Sequence, residues 1–253
     1  MKTVIITGGT GLIGKELSSF FLKNGNKVVI SSRGTDKASF IQKNDLQEYA
    51  ENLEILALDY FIESSVSSFV KELIRLEICP DSIIHNARSL DTLKIEKNGE
   101  SSVDNLLGEY RVGVVGPYEL NNSILNSSIG NNLKKIIFIS SIYGVVGPNP
   151  NLYDNFKHQS PIQYGTTKAA QIHLAKELAI RLAGDGIRVN TVSYGGVEGR
   201  ADDKFKEKYA KFTPSNKMLN IKEVVKPVDF LLNDGASGIT GHNLIVDGGW
   251  TLW

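Results

Sequence analysis

Thr3-Val4-Ile5-Ile6-Thr7-Gly8-Gly9-Thr10-Gly11-Leu12-Ile13-Gly14 joins an apolar run, a glycine-rich turn and the start of an amphipathic stretch. A short continuous apolar run bounded by glycines reads as a buried strand. From Leu12 to Asn24 the apolar residues Ile13, Leu17, Phe20 and Phe21 recur at three- and four-residue steps, and Gly25 ends the pattern. That is a helix with a glycine stop. Glycines between a strand and a helix let the backbone turn tightly and approach a pyrophosphate. The helix N-terminus then offers N–H donors and positive dipole.

The same alternation continues along the chain. Further short apolar runs lie at Val28–Ile30, Leu53–Leu58, Ile83–Ile84, Ile136–Ile139, Ile187–Val192 and Leu244–Val246. Longer helical patterns separate them. One runs from Tyr164 to about Ala183 with Leu174, Leu178 and Leu182 on one stripe. Strands alternating with helices predict an α/β fold with a doubly wound parallel sheet. With no linker, repeat or low-complexity stretch, residues 1–253 read as one domain. Only 145–163, with three prolines and many polar residues, breaks the rhythm and reads as a long loop.

Whole-chain properties exclude several function classes. Lys plus Arg and Asp plus Glu are both 28, so the formal net charge is zero. That offers no electrostatic case for nucleic acid or an anionic membrane as partner. The N-terminal apolar run is too short for a signal peptide, and no run approaches the ~20 residues of a membrane span. The single Cys79 rules out an internal disulfide and fits a reducing compartment. A cytoplasmic protein is expected. His85, His158, His173 and His242 show no metal-ligand spacing, so no metal is expected.

The second apolar run ends Ile30-Ser31-Ser32-Arg33. A dinucleotide site selective for NAD normally has an acidic residue near this point, for the ribose hydroxyls. Hydroxyls followed by a cation, with Lys37 nearby, suit a 2′-phosphate instead. NADP is the expected cofactor, with NAD the alternative. Asp59, at the end of the third run, is a candidate adenine contact or a local cap.

Tyr164-Gly165-Thr166-Thr167-Lys168 opens the long helical pattern. A four-residue step places the phenol and the ammonium on one helical face. Tyrosine ordinarily titrates near pH 10, too high for neutral acid–base work, but a neighbouring ammonium favours the phenolate. The glycine turn, His85-Asn86-Ala87, Ile139-Ser140-Ser141, Tyr164 to Lys168, Ile187-Arg188-Val189-Asn190 and the tail from Ile239 to Trp250 together resemble the short-chain dehydrogenase/reductase family over the full chain.

The resemblance implies a three-layer Rossmann fold with a seven-stranded parallel sheet and nicotinamide chemistry. Ser141 would then bond the substrate oxygen, Tyr164 exchange the proton, and Lys168 hold the nicotinamide ribose. Gly8, Thr10, Gly11, Leu12 and Ile13 would take the phosphates. Ser32, Arg33, Asp59, Tyr60, Asn86 and Ala87 would take the adenosine half, and Gly195 and Val197 the carboxamide side. A homotetramer or homodimer built through the long helices is also implied.

The chain departs from the family pattern in places. Arg88 stands where a glycine is expected. Gly113 stands where an asparagine completes the family's proton relay. Tyr194-Gly195 replaces proline-glycine, and Gly199 replaces a threonine. Ser141 and Tyr164 are 23 residues apart, wider than the family's usual spacing. The extra length is the loop at 145–163, read as a wall over a small-molecule substrate. Tyr153, Asn155, Lys157 and His158 in it suit polyhydroxylated or anionic groups. The insert and the Gly-Gly-Trp ending are similar to bacterial surface-sugar and flagellin-modification oxidoreductases. The leading expectation is therefore carbonyl–alcohol interconversion on a sugar-like substrate. A non-catalytic NADP-binding regulator and a nucleotide-sugar epimerase or dehydratase are the alternatives.

Overall fold

The computed structural model describes residues 1–34, 36–199 and 201–253. Among these residues seven strands form one all-parallel sheet: β1 Thr3–Thr7, β2 Lys27–Ser32, β3 Leu53–Ala57, β4 Ser82–His85, β5 Lys135–Ser141, β6 Arg188–Tyr194 and β7 Asn243–Val246. Their order across the sheet is β3-β2-β1-β4-β5-β6-β7. The chain winds outward from β1 to β3, then crosses back to β4 beside β1. That reversal opens a crevice at the carboxyl ends of β1 and β4, where ligands bind in such sheets.

The helices are α1 Leu12–Lys23, α2 Lys37–Lys43, α3 Ser65–Arg75, α4 Val103–Tyr110, α5 Gly116–Leu125, α6 Phe156–Gln159, α7 Ile162–Arg181, α8 Asp203–Ala210 and α9 Val225–Leu232. The strands read as unbroken apolar runs because both faces are covered. Ile5, Val29, Ile83, Ile136 and Val189 point to one side, with α3, α5 and α7 packed on them through Phe69, Leu73, Leu120, Ile124 and Leu178. Val4, Ile6, Val28, Ile30, Ile84 and Ile137 point to the other, against Leu17, Phe21 and Leu22 of α1 and Val228, Leu231 and Leu232 of α9. Successive side chains on a strand alternate faces, so each run feeds both cores. The three-layer Rossmann fold follows.

Two expectations need adjustment. The stretch 145–163 is not a plain loop: it carries a 3₁₀ turn at Pro150–Leu152, the short α6, and the first two residues of α7. Helix α7 begins at Ile162, after Pro161 at its N-cap, so Tyr164 lies inside the first turn. Proline's fixed φ suits a helix entry, and that outweighed the polar composition before it. Leu152, with partly buried Tyr153, packs into a third apolar cluster with Ile142, Tyr209, Met218 and Trp250. The final tryptophan-bearing turn thus supports the loop from behind: Tyr209 stacks on Trp250 at 4.4 Å between ring centres.

Candidate active site

A cavity of about 1040 Å³ runs along the carboxyl edge of the sheet from Ser32 to Tyr209. Its first end is made of backbone. Gly8 adopts φ +63°, and a Cβ there would lie 2.8 Å from the Ala87 Cα. A Cβ on Gly14 would meet the Gly8 carbonyl oxygen at 2.2 Å, so α1 rests directly on the turn. Thr7 Oγ1 accepts from the backbone N–H groups of Asn86 at 3.0 Å and Ala87 at 3.1 Å. The Asn86 side chain donates back to the carbonyls of Thr7 and Gly8, at 3.2 and 3.0 Å. These bonds fix the two strand ends that flank the crevice. Gly11 at the N-cap of α1 supplies no side-chain acceptor. The first-turn N–H groups of α1 therefore face the cavity with the helix dipole behind them, a suitable anion seat. A diphosphate fits this cradle.

Farther along, Ser31 Oγ accepts from Gly8 N at 3.1 Å, and Ser32 Oγ accepts from Gly34 N at 3.3 Å. Arg33 lies on the wall, half exposed, 3.6 Å from Asp91. Lys37 is not on that wall; it pairs with Glu54 at 3.3 Å. Asp59 accepts from Phe61 N at 3.0 Å and so caps its own turn while lining the cavity. Tyr60 lies buried under Gly116, where a Cβ would come within 2.3 Å of its ring. Burial pushes its phenol up.

The second end is made of side chains. Ser141, at the end of β5, accepts from Tyr143 N at 3.2 Å. Tyr164 lines the cavity with two cations against its ring: Lys168 Nζ 5.7 Å from the centroid and the Arg88 guanidinium carbon at 5.3 Å. Lys168 is buried, and burial lowers its ammonium to about 8. Glu109 acts against that shift and Arg88 acts with it. Glu109 is itself buried, accepts from Thr92 Oγ1 at 2.5 Å, and is pushed up by burial. Gly195 is held by its N–H on the Val246 carbonyl at 2.9 Å, and Val197 bridges to Leu219 beyond it.

Thr10, Gly11, Leu12, Ile13, Asn86, Ala87, Gly195 and Val197 all line this cavity with Ser141, Tyr153 and Tyr164. Lys168 lies behind that lining, and Asn155 and His158 do not line it either. The Asn155 and His158 side chains bond each other at 2.9 Å, and His158 Nε2 lies 3.2 Å from the Lys97 carbonyl. Composition marked them as polar, but their direction is set by local bonds. Four other residues escaped the sequence reading as site residues. Glu109 and Tyr143 carry no motif. Gln171 follows Lys168 by three positions on one helical face. Arg88 was visible as a departure without a target.

A family model described as enoyl-(acyl carrier protein) reductase matches residues 11–251. The chain belongs to this family, the short-chain dehydrogenases/reductases. It is similar to the post-translational flagellin modification protein A of Campylobacter coli, 29% identical over 256 residues, covering 99% of this chain and 98% of that protein. Among solved structures, a short-chain dehydrogenase of Leptospira borgpetersenii with bound NAD+ is 27% identical. It superposes with a TM-score of 0.85 and covers 99% of this chain and 92% of that one. ElxO with NADP bound is 28% identical, with a TM-score of 0.85, covering 100% and 99%. This short-chain dehydrogenase/reductase is thus an NAD(P)-dependent oxidoreductase.

Proposed function

We propose that the protein interconverts a carbonyl and a secondary alcohol on a polar, sugar-like substrate of bacterial surface-glycan biosynthesis, with NADP(H) as cofactor. The carrying observation is Tyr164 on the cavity wall with the Lys168 ammonium 5.7 Å from its ring. When bound, the nicotinamide supplies or accepts a hydride. In reduction, Ser141 donates a hydrogen bond to the carbonyl oxygen. Tyr164 gives that oxygen its proton as charge develops there. The Lys168 ammonium stabilises the phenolate that remains. Arg33 beside the Ser32 hydroxyl supports a 2′-phosphate, which favours NADP over NAD.

The sugar-like substrate draws support from the flagellin-modification relative and from the cavity's polar rim of Ser141, Arg88 and Tyr153. Residues 1–253 act as one cofactor-binding domain, with 145–163 as the substrate-side wall. Exposed apolar residues on α4 and α7 (Val103, Leu107 and Ile162) support assembly into a homodimer or homotetramer through the long helices. No helix among the described residues is long and apolar enough to cross a membrane.

One observation favours a second reading. A second cavity of about 690 Å³, walled by Val145, Val146, Pro148, Phe156 and Ile162, shares Tyr143, Tyr153 and Tyr164 with the first. An acyl chain fits such a wall, in line with the acyl-carrier substrate in the family model's description. Turnover of keto-sugar nucleotides, simple keto-sugars and acetoacetyl-coenzyme A, each with NADPH and NADH, tests both readings. Reduction of a keto-sugar with NADPH is expected. Preference for the thioester favours the second reading, and no oxidation of either cofactor over the panel overturns both.

A further inference from the structure

The Lys168 ammonium has three N–H donors and almost no contact with solvent. One donor reaches the Ile139 carbonyl at 2.9 Å, and another reaches Gln171 Oε1 at 2.9 Å. Gln171 is 2% exposed and donates from the other end of its amide to the Gly113 carbonyl at 2.8 Å. These partners fix the amide's orientation. An ammonium cannot accept and a carbonyl cannot donate, so the oxygen must face Lys168 and the nitrogen Gly113.

Gly113 lies in a π-helical turn, Arg111–Val115, inserted between α4 and α5. Such turns recur at functional sites. Here the turn presses against α7, so that a Cβ on Gly113 would lie 2.3 Å from Thr167 Cγ2. A side chain at 113 fits only if Thr167 turns aside or α7 shifts. Position 113 can offer the site only its backbone carbonyl, and the reach to the lysine has to come from α7.

We propose that Gln171 is the positioning residue for Lys168: its amide ties the ammonium to the Gly113 carbonyl and holds it beside Tyr164. This rests on the reading of Tyr164 and Lys168 as the acid–base pair. A primary amide does not pass a proton readily, so Gln171 anchors the lysine and takes no part in relaying protons. An acceptor beside the ammonium also favours the charged form, against the burial that lowers it. Among the described residues, the other charged or titratable groups facing Lys168 are Glu109 from α4, Arg88 after β4 and Tyr164 one turn earlier on α7. Arg111 of the π turn is engaged elsewhere, with the Tyr60 carbonyl and Glu119.

The test reads Lys168 directly. Protein labelled with carbon-13 at the lysine ε-position is titrated by NMR, and the Lys168 signal is identified by its loss in Lys168→Arg. Gln171→Met keeps the bulk and removes the acceptor. Gln171→Asn, one methylene shorter, keeps the amide and is the milder variant. Leu231→Ala, in the opposite core, controls for lost stability alone. In the Gln171 variants the Lys168 midpoint is expected to fall by about one pH unit, a tenfold change in the protonation constant. The Leu231 control should leave it in place. In the Gln171 variants NADPH-linked turnover should fall as well, and its alkaline limb should move to lower pH. An unchanged Lys168 midpoint in the Gln171 variants overturns the proposal. Failure of the underlying reading has a different signature, turnover that survives Tyr164→Phe.

Discussion

The two ends of the long cavity are built from different materials. At the Gly8 end backbone meets backbone, and a single added carbon would collide with Ala87 or with the turn itself. At the Tyr164 end, two cations lie against one ring, and a buried carboxylate and a buried amide face the lysine. The first end is held by close backbone contacts and by the short Thr7 and Asn86 side chains that tie the strand ends together. The second is adjustable, since each charged group is held by partners that another residue type can replace. Substitutions at the first end should therefore act on cofactor binding and fold together, whereas those at the second should act mainly on turnover.

The largest effect should come from Gly8→Val. It forces a branched side chain into positive φ and onto the Ala87 backbone. Each penalty is about 1–3 kcal/mol. Loss of NADPH fluorescence enhancement together with a melting temperature several degrees lower is expected. Retained binding would break the contrast between the ends. Lys168→Met should cost less in fold and much in rate. It removes a charge that burial already disfavours, so the melting temperature should hold, while turnover drops on the order of a hundredfold.

The buried ammonium also sets a pH dependence. Its folded value, about 8, lies below the ordinary 10.5. As pH rises from about 8 the folded protein loses this proton while the unfolded chain keeps it. This group's contribution to stability therefore grows between those values, whereas turnover, which needs the cation, declines above about 8. Parallel melting and rate profiles across that range check both signs.

Smaller effects belong to the rims. Arg33→Ser should cut the preference for NADPH over NADH by about tenfold, as expected for one exposed phosphate contact. Asp154 ties the substrate-side segment to α8 through Lys204 at 2.7 Å and through Lys208, and these lysines hold its carboxyl at about 2. Its contribution is present above the ordinary 3.8 and fades as pH falls toward 2. Asp154→Asn should lower the melting temperature slightly at pH 7 and not at all below that window, since the pair is exposed.

The contrast also explains what could be read from the sequence. The backbone-built end is local: strand, turn and helix lie within residues 3–23, and the glycine spacing has one mechanical meaning. The strand runs likewise announced a sheet covered on both faces. The side-chain end is non-local. Gln171 lies 58 residues from the carbonyl it bonds, and Lys168 lies 29 from Ile139. Periodicity could place Gln171 on the face of Lys168 without revealing what it touches. Arg88 was legible as an oddity, but its approach to Tyr164 depends on the segment after β4 reaching the start of α7. In the 145–163 segment, polarity concealed both α6 and the turn of Asn155 and His158 away from the cavity.

The most direct measurement compares Tyr164→Phe with the unaltered enzyme in two assays, NADPH titration by fluorescence and NADPH-linked reduction of the best panel carbonyl. Removing one hydroxyl from the side-chain end should leave affinity for the cofactor within about twofold and lower turnover by about a thousandfold. Turnover that persists, or cofactor binding that disappears with it, would contradict a phenol that acts on substrate at an end of the cavity independent of the glycine cradle.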